Sequence, residues 1–580
     1  MAQQTDSFAS PLAARFISAR RKFDASTVVW VTIAAILLIL IVKPVYHLAK
    51  QSFLLPEEDG GGWTLLNYFT AFTEPEHYYP IFSTLYISFS VGILSLILGA
   101  IIAWCISRTD VPFPNLLRNS VLMSFVTPPF LGAIAWIFLA GPRQGWINII
   151  YRAITGAGPD DYLVDIFTVG GMVFAMTLYT FPLVFIVVLA GLNNVSSDIE
   201  DAANIAGGGT FSTMINVTLP LVMPALVAGL ILGTLEAMIL FGIPAVLGLP
   251  AGNHVMTTQL RAFMSSDEDM IGIAAAYSLP MLMTAFWLVY MRRHVLGRRG
   301  YATLGGKGGQ RRPQRLGPWR YPVFILCSIP VLCAIVLPYF MLTTTSFLKT
   351  IGHGLSLSNL TFDNYIFIFN NDAVRISFYN TIMLALMAAT AATLIAAVTS
   401  YITQRNLVRG HKYMSFLATA PIGIPGIVLA VGLFSAYTQE PFLLYGTIWI
   451  MFIAYVTKYL PLAFQTSNAS LMSIHPELEE CSRILGASRL QVFKDVTIPL
   501  FKAGLLASWI LVFMPSLREL SASILLYTSE TKVVSVMIIT FYEEALLGAI
   551  SAIGVILLAI TSIAVLIGYK VVGRDFMRSE

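Results

Sequence analysis

Glu200-Asp201-Ala202-Ala203-Asn204-Ile205-Ala206-Gly207, followed by Thr218-Leu219-Pro220-Leu221, has a counterpart further along the chain. It is Glu479-Glu480-Cys481-Ser482-Arg483-Ile484-Leu485-Gly486, followed by Thr497-Ile498-Pro499-Leu500. One offset of 279 relates all of these residues, and Phe181-Pro182-Leu183 and Leu460-Pro461-Leu462 share it. Upstream, Asn67-Tyr68 against Asn364-Tyr365, and Arg108 against Arg405, stand 297 apart, an 18-residue difference that places a longer loop after the third apolar run of the first half. Self-similarity on this scale means that one structural unit is built twice.

The 580 residues are 57% AVILMFWYC and 11% DEKR, with a mean hydropathy of +0.76. A water-exposed chain carries about 25% charged residues, so this one has too little polar surface to wrap a globule, and its apolar bulk must face lipid. Runs of about 20 apolar residues cross the hydrocarbon core. Twelve are present, at 28–49, 81–106, 119–140, 166–192, 223–247, 271–291, 322–346, 377–403, 414–437, 443–467, 503–527 and 545–570. The first is too long for a signal-peptide core and lacks a small-x-small cleavage site after it, so it reads as a retained span.

Short cytoplasmic loops collect Lys and Arg. With the N-terminus inside, 25 of the 35 basic residues fall on the cytoplasmic side, 7 outside, and 3 (Lys43, Lys458, Arg518) within spans, so both termini are expected in the cytoplasm. The loop 193–222 runs against the rule: it has no Lys or Arg and carries Asp198, Glu200 and Asp201. Residues 292–320 hold nine Lys/Arg, no acid and many Gly and Pro, the composition of a flexible basic linker. The chain therefore divides into a tail 1–27, a six-span repeat 28–291, a linker 292–321, a second repeat 322–570 and a tail 571–580. An even number of spans per half makes the repeats parallel, about an axis along the membrane normal. The expected fold is an all-α membrane protein of twelve transmembrane helices in two parallel six-helix repeats, with both copies of the repeated loop on the cytoplasmic face.

Each copy of that loop reads as a short amphipathic helix. Ser197 or Asp198 caps the first and Gly207 ends it in the left-handed C′ position; Pro476 suits the first turn of the second and Gly486 its end. Acids at the start (Asp198, Glu200, Asp201; Glu477, Glu479, Glu480) sit at the positive end of the helix dipole.

Glu-x-Ala-Ala-x-x-x-Gly followed by x-Leu-Pro resembles the EAA loop of binding-protein-dependent ABC importer permeases, and the resemblance runs over about residues 60 to 570. It implies the type I importer permease fold in a bacterial inner membrane. It also implies coupling helices that dock into a cleft of a separate ATP-binding subunit. The residues that carry over are Glu200, Asp201, Ala202, Ala203 and Gly207 in one copy, and Glu479, Glu480, Cys481, Ser482 and Gly486 in the other. Gly207-Gly208-Gly209 replaces the usual Gly-Ala-Ser, and Cys481-Ser482 the usual Ala-Ala, all small residues that permit close approach. Two loops imply two copies of the ATPase, which would bring ATP and Mg, and a loop covered by a partner need not meet anionic lipid. A periplasmic binding protein and membrane lipid complete the expected partners. Phe241-Gly242-Ile243-Pro244-Ala245-Val246-Leu247-Gly248 and Arg518-Glu519-Leu520-Ser521-Ala522-Ser523 look most like the fused permeases of ferric iron uptake, whose relatives handle thiamine, polyamines, phosphonates or sugar phosphates.

The chain reads as a permease without its own motor or cofactor. Gly305-Gly306-Lys307-Gly308 places Gly after the Lys, with no preceding strand, and is linker rather than a phosphate loop. Cys105, Cys327, Cys333 and Cys481 form no CxxC pair and the seven His are scattered, which argues against a disulfide framework or metal site. The basic residues lie in short loops rather than on one face, so nucleic acid is not an expected partner. Glu57-Glu58-Asp59 and Asp267-Glu268-Asp269 read as solvated outer turns. Ionisable groups within spans cost a few kcal/mol or more and usually face a cavity or a partner; they are Glu236 in the fifth span, Lys458 in the tenth and Arg518-Glu519 in the eleventh. In the resembled family the fifth and eleventh spans line the passage, which makes Glu236, Arg518 and Glu519 candidates for its wall or gate. A structural pair within the bundle is the alternative, and Lys458 either joins the passage, snorkels or bonds to a neighbouring helix. An ion-gradient-driven secondary transporter would not need paired loops, and a membrane-embedded enzyme would gather catalytic groups that are not found.

Overall fold

The computed structural model describes residues 25–55, 61–265, 270–297, 313–351, 356–438 and 442–572. Among them no strand forms; three isolated bridges are the extended contacts. The first half contains α1 (Val28–Gln51), α2 (Leu66–Thr73), α3 (Pro75–Arg108), α4 (Pro114–Ser124), α5 (Pro129–Ala140), α6 (Val169–Asn193), α7 (Ser197–Ile205), α8 (Met214–Ile239), α9 (Met256–Ser265) and α10 (Met270–His294). The second contains α11 (Gly317–Ser346), α12 (Asp363–Asn370), α13 (Asp372–Gln404), α14 (His411–Gly423), α15 (Gly426–Tyr437), α16 (Ile448–Met472), α17 (Pro476–Ile484), α18 (Arg489–Ser516), α19 (Val534–Glu543) and α20 (Leu547–Gly568). Each element thus has its equivalent ten places later.

Among the described residues ten helices are long and apolar enough to cross a bilayer. The third and ninth spans of the sequence reading, 119–140 and 414–437, are not single helices. They are bent pairs, α4 with α5 at 99° and α14 with α15 at 112°. Proline explains both breaks: Pro128-Pro129 and Pro425 have no N–H to continue the ladder, and Pro128 and Ile424 take extended backbone. The fifth and eleventh spans also stop short of their expected ends, at Ile239 and Ser516. Leu240 is extended, and Pro244 has no N–H to offer the Leu240 carbonyl. The chain then continues in irregular segments with short helical turns (Pro244–Gly248 and Leu249–Ala251; Ser523–Leu526) before α9 and α19.

Packing is reciprocal. In each half a trio forms, α3 with α6 and α8, and α13 with α16 and α18. The first helix of each half reaches over the other: α1 packs on α15, and α11 on α5. At one such crossing a Cβ on Gly432 would stand 2.8 Å from the Pro44 carbonyl oxygen, so the helices touch backbone to backbone. Between α5 and α6 lie 28 residues, against 10 between α15 and α16, and the extra length folds as a helix, Trp146–Thr155. This insertion accounts for the change of offset. Residues 1–24 and 573–580 of the tails, half of the basic linker (298–312, with Gly305-Gly306-Lys307-Gly308), and both acidic turns (Glu57-Glu58-Asp59 and Asp267-Glu268-Asp269) lie outside the described residues.

Candidate functional site

The repeated loops fold as α7 and α17, each between the second and third helix of its trio. The Ser197 or Asp198 cap expected for α7 shifts by a residue: the helix begins at Ser197, and the Ser196 hydroxyl accepts the Asp198 N–H at 3.3 Å, because the capping side chain must precede the first helical turn. Pro476 occupies the first position of α17. At the far ends Gly207 and Gly486 have φ of +93° and +95°, and the next N–H in each copy bonds back to Ala203 (2.9 Å) and Ser482 (3.2 Å). This is the Schellman closure. Ser488 then opens the following helix with a reciprocal capping box to Gln491; Gly209 stands at the equivalent position of the first copy and has no side chain to do so.

The candidate coupling residues divide between two faces. Asp201, Ala202, Gly207, Glu480, Cys481 and Gly486 are exposed, and Ala203 and Ser482 half-buried. Ile205, Ile484 and Leu485 beside them are 89%, 84% and 88% exposed, an apolar crest repeated in both copies. Glu200 and Glu479 point the other way. Arg108, the last residue of α3, donates from Nε to Glu200 Oε1 at 3.0 Å and from Nη2 to the Leu192 and Val195 carbonyls at 2.9 and 3.2 Å. Thr218, at the foot of α8, donates to the same Glu200 oxygen at 2.8 Å. In the second copy Arg405 grips Glu479 with two bonds (Nε to Oε2 3.1 Å, Nη2 to Oε1 3.0 Å) and reaches the Ile474 carbonyl at 3.1 Å, while Thr497 donates to Glu479 Oε1 at 3.1 Å. The four charged side chains are 8–17% exposed. Arg108, Arg405, Thr218 and Thr497 were visible as parts of the repeat, but spacing alone does not say what a side chain faces.

The intramembrane charges form a second cluster. Glu519 is buried and accepts two bonds from Lys458 Nζ (2.8 and 2.7 Å), one from the Tyr459 hydroxyl, and one from the Ala522 N–H at 3.0 Å. Lys458 therefore bonds to a neighbouring segment rather than snorkelling. Arg518 donates from Nη1 to the Phe125 and Thr127 carbonyls at 2.5 and 3.0 Å, the acceptors left open where α4 breaks from α5. Glu236, half-buried on α8, lies within electrostatic range of Lys458, Arg518 and Glu519. Arg518 thus ties the second half to the first, and Glu236 of the first half lies near that junction. Arg518 and Glu519 sit beyond the end of α18, in the irregular segment, not within a continuous eleventh span.

The halves are closed against each other on the side away from α7 and α17. A Cβ on Gly242 would lie 3.1 Å from Leu520 Cδ2; Tyr542 donates to the Val246 carbonyl at 2.9 Å; and Arg261 on α9 pairs with Glu543 on α19 at 2.8 Å. Among the described residues no group of three or more His, Cys, Asp or Glu could hold a metal ion.

Residues 95–298 and 408–578 each match the family model described as "Binding-protein-dependent transport system inner membrane component". Over 501 residues the chain is 26% identical to the ferric transport system permease protein FbpB of Actinobacillus pleuropneumoniae, covering 85% of this chain and 71% of that protein. Over 266 residues it is 30% identical to the trehalose/maltose transport system permease protein MalF of Thermococcus litoralis, covering 44% of this chain and 89% of that one. A solved bacterial ABC transporter involved in the import of alginate is similar at 17% identity and a TM-score of 0.36, over 45% of this chain and 96% of its own.

Proposed function

The chain belongs to the family of binding-protein-dependent transport system inner membrane components, carries the family's module twice, and is thereby a fused, multi-pass permease of an ABC importer; on that premise we propose that it passes ferric iron from a periplasmic binding protein to the cytoplasm. What supports iron is the reach of the likeness: the ferric permease FbpB matches 85% of the chain, across both halves, whereas the sugar permease MalF matches 44%.

The energy comes from two copies of a separate ATP-binding subunit, one on α7 and one on α17. The observation that carries this reading is the pair of exposed apolar crests, Ile205 and Ile484-Leu485, on short helices bonded to the ends of the spans. Large side chains this open to solvent are suited to a partner that buries them. ATP and Mg bind to that subunit, and closure of its dimer draws α7 and α17 together. Each trio tilts, the far-side contacts Arg261 to Glu543 and Gly242 to Leu520 separate, and the passage lined by Glu236, Lys458, Arg518 and Glu519 opens to the binding protein. Hydrolysis returns the closed form. ATP does work here because the ATPase dimer binds the two states unequally, which any driven change requires.

The test is copurification from native membranes followed by reconstitution. Recovery of a Walker-motif ATPase at two copies per chain, with ATP-dependent uptake of labelled ferric iron in vesicles holding the binding protein, supports the reading. Uptake of a polyamine or sugar phosphate instead of iron overturns the substrate, and uptake driven by a proton or sodium gradient without ATPase overturns the importer.

A further inference from the structure

We infer that Arg108 and Arg405 are positioning residues that make each coupling helix move as one body with the coupling-side ends of all three helices of its trio. The inference rests on the reading of α7 and α17 as docking helices and says how their motion enters the membrane.

Each arginine ends a long span, yet its guanidinium is spent on other segments. In the first half, one carboxylate and one guanidinium join four pieces of chain: the end of α3 (Arg108), the carbonyls at the end of α6 (Leu192, Val195), the coupling helix α7 (Glu200) and the foot of α8 (Thr218). The second half repeats the arrangement with Arg405, Ile474, Glu479 and Thr497. The same four corners recur in both halves. Bonds of this kind are directional and short, whereas apolar contacts between helices can slide. Without the lock, α7 and α17 would hang on turns that end in left-handed glycines, Gly207 and Gly486.

The first lock has a further attachment. Gln314, at the end of the linker, donates its N–H to the Arg108 carbonyl at 2.9 Å, and Asp110 accepts the Leu316 N–H at 2.8 Å. The entry to the second half is thus tied to the corner of the first. The second lock lacks this strap among the described residues but has the bidentate grip on Glu479.

The same geometry gives Glu200 and Glu479 a role different from direct contact with a partner. Their carboxylates are occupied within the chain, so the partner meets the crest and the exposed acids Asp201 and Glu480.

The experiment uses the full complex of permease, ATPase and binding protein in vesicles. It reads basal ATPase activity, its stimulation by loaded binding protein, and ATP consumed per substrate moved. Arg405→Gln is expected to leave assembly and basal hydrolysis within about twofold of wild type, to cut stimulation and transport at least tenfold, and to raise ATP consumed per substrate. Arg405→Lys, which keeps the charge but not the fork, is expected to fall between. The double variant Arg405→Met/Glu479→Leu separates transmission from folding. Replacing both partners of a buried pair with apolar groups usually restores stability, so a thermally stable double variant that stays uncoupled supports the inference. Recovery of coupling together with stability, or wild-type stimulation in the single variants, overturns it. Failure of the wild-type chain to bind any ATPase would instead overturn the importer reading, and the two failures are therefore distinguishable.

Discussion

Gly486 offers a test of the proposed docking of α17 in which the cost to the fold can be measured separately. Its φ of +95° lies where an L side chain is strained, and a Cβ built there meets nothing within 4 Å. In the chain alone, Gly486→Ala therefore costs about 1–2 kcal/mol of backbone strain, and Gly486→Trp costs about the same, because its bulk enters open space. If α17 docks as proposed, that space lies beside the exposed Ile484 and Leu485, against the ATPase. There the tryptophan is expected to weaken association at least about tenfold more than the alanine, a further ~1.4 kcal/mol. Titration of detergent-solubilised variants with labelled ATPase, beside denaturant unfolding of the same samples, separates the two costs. Equal affinity of the Ala and Trp variants would show that no partner approaches Gly486 and would refute the assignment of α17 as the docking helix. Gly207, with the same geometry, gives the matching test of α7.

Lys458→Met leaves the buried Glu519 carboxylate with Tyr459 and the Ala522 N–H but no cation, which is expected to cost about 3 kcal/mol, the low end for breaking a buried pair. Lys458→Met/Glu519→Gln should recover most of it; denaturation curves that do not differ between wild type and the single variant would contradict the pairing. In a Cys481→Ser background, Arg261→Cys/Glu543→Cys joined by a bifunctional thiol reagent should stop uptake, and a cleavable reagent should restore it. Transport through the joined protein would exclude α9 and α19 from the gate. Gly548→Ala places a Cβ 2.4 Å from Asn364 Oδ1 and must displace a side chain that bonds the Ser346 and Leu348 carbonyls at 3.0 Å each. A loss of about 1–3 kcal/mol is expected, read as a lower denaturation midpoint, and a neutral Gly548→Ala would mean that Asn364 has another place to go.

Much of the architecture follows from short-range rules that any reader of the chain can apply. Apolar runs, the repeat at 279 and 297, and the Pro and Gly at the ends of α7 and α17 are statements about neighbouring residues, and helix formation answers to neighbours within a turn or two. The same rules explain why proline would interrupt the third and ninth spans, but not the angle of each break. That depends on what lies across it, and at one break the neighbour is Arg518, 393 residues from Phe125 in the chain. Glu200 and Glu479 show the same division. Their place at the start of a short acidic helix is a local fact; their direction, inward to Arg108 and Arg405 across 92 and 74 residues, is not. A charge removed from water takes whatever opposite charge the packing brings within reach, and that choice is made when three helices close on one another. Periodicity and capping therefore settle which segments become helices and which loops are repeated. Which buried charges pair, which helix corners move together and where the two halves meet are settled by contacts between residues far apart in the chain, which no local pattern encodes.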